Sequence, residues 1–386
     1  MKNYLIVLFL VIVSFIINLN VVLVEAKGNN YDQTISEILN GIDESLYLDF
    51  NDVLNEFFND NSSFKERIIK FLTGELHVDI ASIKKLIFNR VNQYVKEFLK
   101  VVCLILFIGI SCTVLNGILS KNNDNIENNT IFFIFYILVV SIAGNLISKF
   151  VISANDTIKN LSKTTELIFP LLFSVSSLCG NLGVSVYKPL TAFISYFSSV
   201  ITSNYLLPII VFGGVSLIVG NLSQNVKISG LSKTVFSLFK WILGIIVIVY
   251  TVILSIQGIV NASYNGISIK ILKYATGSIV PIVGGFLSGG VDVLLSSAIL
   301  IKNSIGLLSV IYLLIAILGK GIAFISTSFL LKFGASICEP IIDKRFYNLL
   351  IGIGDVINYL ASLIFLSGFM YFITIIGFIF STISVF

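Results

Sequence analysis

The feature that most constrains the fold of this chain is its series of long, continuous apolar runs. A helix needs about 20 apolar residues to cross the hydrocarbon core of a bilayer, which is about 30 Å thick. Runs that approach or exceed this length are Leu99–Leu119, Ile131–Ile152, Leu167–Val186, Leu206–Leu222, Trp241–Val260, Ile305–Ile325 and Val356–Phe380. Because the runs are continuous, they indicate helices; membrane-spanning strands would alternate apolar and polar residues. Charged residues form 12% of the chain, about half the share of a soluble protein. The sequence therefore predicts an all-α, polytopic helical membrane protein with about seven to eight transmembrane helices.

The first residues have the features of a secretory signal. Lys2 precedes the apolar run Leu5–Val24, and "VEA" at Val24–Ala26 is a small-residue site of the kind that signal peptidase cleaves. We predict a signal peptide over residues 1–26. The run is longer than a typical signal core, so an uncleaved anchor is the alternative. In both cases the chain from residue 27 onward begins outside the cytoplasm.

Residues 27–97 differ in character from the rest of the chain. They hold twelve acidic and eight basic residues, a net charge of −4, and their apolar residues recur at helical spacing. Ser63 and Glu66 in "SFKE" have the spacing of a capping box, which opens a helix. We predict an acidic, extracytoplasmic, all-helical domain over 27–97, here called the leader domain. Its last helix should run directly into the first span at Leu99, where the polytopic membrane domain over 98–386 begins.

Residues that carry catalysis are scarce. His77 is the sole histidine, and its neighbours indicate a surface or packing role. The four cysteines lack metal-ligand spacing, and neither a phosphate-binding GxxxxGK[ST] loop nor a GxSxG nucleophile turn occurs. The prediction is a protein that is not an enzyme, with no catalytic residue, no cofactor and no metal site.

One apolar stretch, Leu272–Asp292, contains a proline and five glycines, so an uninterrupted helix is not expected there. Pro281 removes a backbone donor, so a helix should kink or unwind there. Small residues after it let another helix approach closely; the glycines concerned are Gly284, Gly285, Gly289 and Gly290. Two interpretations remain open. The stretch lines a cavity or pore, or it packs tightly at a helix–helix contact without a passage.

Charges close to this stretch carry further expectations. Asp292 would be costly in hydrocarbon, so a basic partner such as Lys302 or Lys273 is expected. Lys320 stands in "LGKGI", where the neighbouring glycines suit a helix end, so the span is expected to stop there with its amine reaching the headgroups. "EPIIDKR" at Glu339–Arg345 is predicted to be a polar interfacial loop.

The lysine and arginine counts do not assign each loop to one side of the membrane. The lysines of successive loops do not alternate as the positive-inside rule requires, so the side of the carboxyl-terminal end stays open. Thr191–Ser203 is either a half-span or an interfacial helix.

A family resemblance adds to this picture. The order "ATG" at Ala275–Gly277, Pro281, Gly284, "LS" at Leu287–Ser288, Asp292 and "IKNSIG" at Ile301–Gly306 is similar to the stage III sporulation protein AE family. The signal-like start, acidic leader and apolar body agree with that family, so the resemblance covers nearly the whole chain. The residues singled out as helix-packing or conduit candidates are Pro281, Gly284, Gly285, Gly289, Gly290, Asp292, Lys302 and Lys320.

The resemblance implies a role and a place. It implies a multi-pass protein of the mother-cell membrane around the forespore, within a transenvelope channel or secretion complex needed for forespore development after engulfment. The implied partners are the other proteins of the stage III sporulation operon A, including its ATPase and ring-forming members, and a forespore-membrane protein; the lipid bilayer surrounds it and no nucleic acid is involved. The alternatives are a stand-alone secondary transporter or permease and a purely structural membrane scaffold.

Overall fold

The computed structural model describes residues 48, 51, 54–55, 58, 60–72, 75, 80–119, 125–178, 196–222, 230–253 and 284–380. These residues form helices joined by turns, and none of them lies in a strand. The helices are α1 (Phe64–Leu72), α2 (Ile80–Leu119), α3 (Asn125–Leu178), α4 (Tyr196–Gly220), α5 (Gly230–Ile253), α6 (Gly284–Cys338) and α7 (Lys344–Phe380). Within this described part, α2 to α7 are six helices long and apolar enough to cross a membrane. The prediction of an all-α polytopic membrane protein is confirmed.

Within the leader domain, helix α1 begins with the predicted capping box. At the start of α1 the Ser63 amide donates to Glu66 Oε2 at 3.0 Å, and the Glu66 amide donates to Ser63 Oγ at 3.2 Å. Each residue thus satisfies a backbone donor that the first helical turn leaves without an intrahelical acceptor. The capping box is confirmed.

Arg67 of α1 is fully buried and organises the preceding segment. Its guanidinium donates to Asn51 Oδ1 at 2.8 Å, Asn55 Oδ1 at 2.6 Å and the Asp60 carbonyl at 3.0 Å. The same group lies 5.5 Å from the centre of the Phe58 ring. These contacts offset the cost of burying the cation, although the buried Nε of Arg67 has no hydrogen-bond partner among the described residues. We call this cluster the Arg67 knot.

Asp60 makes the leader domain sensitive to acid. Hydrogen bonds from Lys70 (2.8 Å) and from Ser62 hold the pKa of the Asp60 carboxyl below its ordinary value. Because the folded pKa is lowered, the stabilisation is complete above the ordinary pKa of about 3.9 and is lost as pH falls through the lower folded value. We expect hydrogen exchange of the α1 amides, corrected for its intrinsic pH dependence, to accelerate over that range. Asp60→Asn should remove this acceleration of amide exchange at low pH. If the exchange in Asp60→Asn accelerated as in the wild type, the assignment to Asp60 would be contradicted.

The helix α2 joins the leader domain to the membrane without a break. It extends from Ile80 to Leu119, so it includes both the end of the leader and the predicted span Leu99–Leu119. The expected direct passage from leader to span is confirmed. Helix α1 also packs against α6, so the leader domain is held to the rest of the molecule by two different helices.

Two predicted spans share the helix α3. This helix has 54 residues and contains Ile131–Ile152 together with the first part of Leu167–Val186. No proline or glycine interrupts residues 149–166 between them, so the helix continues through the polar segment instead of turning back. At 1.5 Å per residue α3 is about 81 Å long, far longer than a hydrocarbon core of about 30 Å.

The described part of the predicted segment Thr191–Ser203, from Tyr196 onward, belongs to helix α4. Residues 196–203 are the first turns of the same helix that carries the predicted span Leu206–Leu222. A π-helical segment, Ile201–Leu206, precedes Pro208, which cannot donate a backbone hydrogen bond to the preceding turn. From Tyr196 onward this region is therefore neither a half-span nor a separate interfacial helix.

The helices α6 and α7 form the centre of the bundle, here called the central hairpin. Their most apolar windows are 78% and 83% buried, whereas those of α2 to α5 are 22% to 39% buried. The predicted loop joins them: residues 339–343 form the turn, and Asp343 Oδ1 accepts the Arg345 amide at 2.8 Å as the N-cap of α7. The predicted loop is present, and its position at the membrane interface remains a prediction. The outer helices cover most of the central hairpin, although some side chains of α6, such as Phe329 and Phe333, stay exposed.

Contacts between helices fix two levels along the bundle. At one level the Phe150 ring lies 4.6 Å from the rings of both Phe98 and Phe324. At the other, the Asp343 amide of the polar turn donates to Thr113 Oγ1 at 3.3 Å, and Thr113 follows Phe98 on α2 by 15 residues, a rise of about 22 Å. Many outward-facing side chains of these helices are apolar and exposed, among them Phe107, Ile118, Phe133, Ile137 and Phe333. We call the region between the two levels the membrane layer.

Candidate functional site

The predicted glycine/proline stretch is only partly described. Pro281 and the kink predicted there lie outside the described residues. The helix α6 begins at Gly284, so its first turns include Gly284, Gly285, Gly289, Gly290 and Asp292. The choice between a cavity lining and a packing face, and the partner of Asp292, remain predictions.

Lys302 is fully buried and binds the end of α7. Its ammonium donates to the Ile379 carbonyl at 3.0 Å and to the Phe378 carbonyl at 3.3 Å, and lies 5.7 Å from the Phe378 ring centre. The last carbonyls of a helix lack intrahelical donors and carry the negative end of the helix dipole. Lys302 therefore satisfies the carboxyl-terminal turn of α7 from the neighbouring helix.

The helix end predicted at Lys320 is wrong, whereas the position of its amine at the headgroups remains a prediction. Helix α6 runs on for 18 residues to Cys338. The adjacent Gly321 serves packing: a Cβ there would lie 2.5 Å from the Phe365 ring of α7. The glycine therefore marks a close approach of two helices, and a helix end is not required to explain it.

Lys320 lines a cavity of about 290 Å³ where α3 changes from apolar to polar. Its ammonium lies 4.3 Å from the centre of the Tyr94 ring of α2, a cation–π contact. The cavity is lined by Lys149, Ile152, Ser153, Asp156, Thr157, Asn160 and Lys320. This polar cavity lies at the edge of the membrane layer, next to the ring contact of Phe98, Phe150 and Phe324.

An ion pair that the sequence reasoning missed links the two central helices. Lys332 Nζ of α6 lies 2.6 Å from Asp355 Oδ1 of α7. Beside it Ser328 Oγ donates to the Gly354 carbonyl at 2.6 Å, and a Cβ on Gly354 would lie 2.9 Å from the Lys332 stem. The predicted runs had been bounded so as to leave both charges out. A signal was present, because the two residues stand equally far from the turn at Asp343 and Lys344.

Close glycine contacts also occur elsewhere than predicted. Between α6 and α7, glycines make room for a side chain of the opposite helix, where an added Cβ would collide with it. The pairs are Gly306 with Ile379, Gly321 with Phe365, Gly354 with Lys332, and Gly368 with Ile317. This row, here called the glycine seam, gives the central hairpin its close packing.

These features define a class: a polytopic helical membrane protein built around a buried two-helix hairpin with internal lysines. Among the described residues no group of histidine, cysteine, aspartate and glutamate side chains could hold a metal ion. The family model described as stage III sporulation protein AE matches residues 62–382, and the chain belongs to that family. It is similar to the stage III sporulation protein AE of Bacillus subtilis (strain 168), with 21% identity over 368 residues that cover 92% of each chain. No solved structure matches it.

Proposed function

We propose that this protein is a membrane-embedded component of a transenvelope channel or secretion complex between mother cell and forespore. It resides in the mother-cell membrane around the forespore, works without catalysis of its own, and is needed for forespore development after engulfment. Membership of a sporulation family supports the sporulation role, and six apolar helices support the membrane location. Its partners are other proteins of the same operon, including the ATPase and ring-forming members, and a forespore-membrane protein.

One observation carries the proposal of an assembly component: the leader domain is built on a helix that continues into the membrane. From Ile80 to Phe98 the helix α2 rises about 27 Å before it enters the membrane layer. A folded element fixed to such a helix cannot move independently of the membrane domain. An acidic domain held at a set height suits docking to proteins outside the cytoplasm.

The Arg67 knot offers a sharper test of docking than deletion of the leader. Arg67→Ala leaves two asparagine side chains and a carbonyl without their charged donor, which should cost about 3 kcal/mol or more of leader stability. The membrane helices are untouched, so insertion should remain. We expect normal membrane abundance, a several-fold loss of the operon proteins that co-purify with the chain, and loss of late forespore gene expression.

Lys85→Ala is the matched control, because Lys85 is an exposed basic residue on the same side of the membrane layer. It should preserve partner recovery and sporulation. If Arg67→Ala opened the leader, as judged by proteolysis in intact membranes, and partners were still recovered at wild-type levels, docking through the leader would be excluded. A transporter that works alone would then be the better account.

A further inference from the structure

The Lys332–Asp355 pair lies near the middle of the membrane layer. Lys332 follows Phe324 by eight residues on α6, a rise of about 12 Å from the ring contact, in a layer that reaches the polar turn after about 22 Å. The described residues do not seal the pair: 29% of the Lys332 side chain and 43% of the Asp355 side chain are exposed. Charges at this depth are costly against lipid and are normally covered by protein or water. A covering group beyond the described residues is therefore expected.

Further polar residues extend the pair into a line. Asn348 of α7 is exposed, and Asp355 and Asn358 are half-buried; their spacing puts them on one side of the helix. With Lys332 of α6 they form a row here called the polar stripe. Beside it Phe329 and Phe333 of α6 stack on each other with ring centres 5.7 Å apart, and are 63% and 55% exposed. An exposed polar line flanked by exposed aromatic rings has the make-up of a protein–protein contact inside a membrane.

The charges of the polar stripe identify its occupant. The stripe holds one cation and one anion, so it has no net charge to attract a partner of a single sign. Lys332 and Asp355 lie at the same depth, because their charged atoms are 2.6 Å apart. A twofold axis along the membrane normal places residues of equal depth from the two copies opposite each other. Lys332 of one copy can therefore face Asp355 of the other. Asparagine amides both donate and accept, so they are also self-complementary.

We propose that this protein pairs with a second copy of itself through the polar stripe, with Phe329 and Phe333 packing beside it. Each Lys332–Asp355 pair then joins its counterpart in a four-charge cluster that excludes lipid. The pairing concerns the membrane layer alone. It does not depend on docking of the leader domain, and the two can fail separately.

A charge-exchange experiment tests the pairing. Two chains with different tags are co-expressed: Lys332→Asp, with two acidic residues at the stripe, and Asp355→Lys, with two basic ones. Like charges should prevent each variant from pairing with itself, whereas one copy of each restores both opposite-charge contacts between the copies, although the pair within each chain stays like-charged. We expect wild-type chains to co-purify with each other, each variant to lose self-pairing at least about tenfold, and the two variants to recover pairing together. Failure of differently tagged wild-type chains to co-purify would overturn the proposal.

Cysteine cross-linking tests the same surface without altering the charges. In a background with the four native cysteines replaced by alanine, Asn358→Cys should form a disulfide-linked dimer in native membranes upon mild oxidation. Leu238→Cys is the control: it is 49% exposed on α5, and its neighbour Phe239 contacts Tyr359, so its depth is similar. Equal cross-linking at both positions would mean random collision. Reaction of Asn358→Cys with a charged thiol reagent, without a dimer, would mean a water-lined path and would refute the contact.

Discussion

Lys302→Glu is expected to destabilise the protein more than any other single charge change in the described helices. It replaces a buried ammonium by a carboxylate that faces the Ile379 and Phe378 carbonyls at the negative end of α7. Removing one partner of a buried charged contact typically costs 3–5 kcal/mol, and here the remaining groups also repel the new charge. We expect a large fall in membrane abundance and a purified protein that aggregates well below the melting temperature of the wild type.

Two further variants serve as controls for Lys302→Glu. Lys302→Met keeps the apolar stem and loses only the charged donor, so a smaller loss of about 1.5–3 kcal/mol is expected. Lys159→Glu places the same new charge on an exposed position of α3 and should leave stability close to that of the wild type. If Lys302→Glu were as stable as Lys159→Glu, the ammonium would not be holding the end of α7.

Gly321→Leu is expected to disrupt the central hairpin. A Cβ at this position would already lie 2.5 Å from the Phe365 ring, and Gly321 itself is buried. Overpacking of a filled interior costs about 1–3 kcal/mol even for smaller additions, and a buried phenyl ring has little room to withdraw. We expect a lower melting temperature in detergent and loss of a folded monodisperse species in size-exclusion chromatography.

Gly144→Leu provides the comparison, because nothing lies within 4 Å of the position of its added Cβ. It lies on α3 in the membrane layer and should be tolerated. Equal stability of the two leucine variants would show that α6 and α7 are not in close contact at Gly321.

The class of fold could be predicted because run length and composition are local properties. An apolar run of about 20 residues has few alternatives to a membrane helix, and a capping box satisfies its own backbone groups. For these reasons the helical membrane class, the start of α1 at Ser63 and the loop at Glu339–Arg345 could all be taken from sequence.

The partners of single charges could not be predicted, because they depend on which helices pack together. Lys320 looked like a helix end, since glycines on both sides are compatible with either a C-cap or a close helix contact. Lys302 reaches α7 across 76 residues of chain, and no periodicity within α6 could indicate that distance. The continuity of α3 was missed for a different reason: its charged middle resembles a loop in composition, although no glycine or proline interrupts it.

The central hairpin has a consequence for the way the protein is made. Its two helices follow in the chain the four that enclose them, so translation produces the outer helices first. Membrane helices form individually before they associate, and the amino-terminal part of a chain is free to fold during synthesis. Here α2 and α3 can pack against each other as they emerge, but the central surface that α2 to α5 enclose does not yet exist. The ribosome therefore completes the structure from the outside inward, and the native arrangement becomes possible only when α7 has left the tunnel.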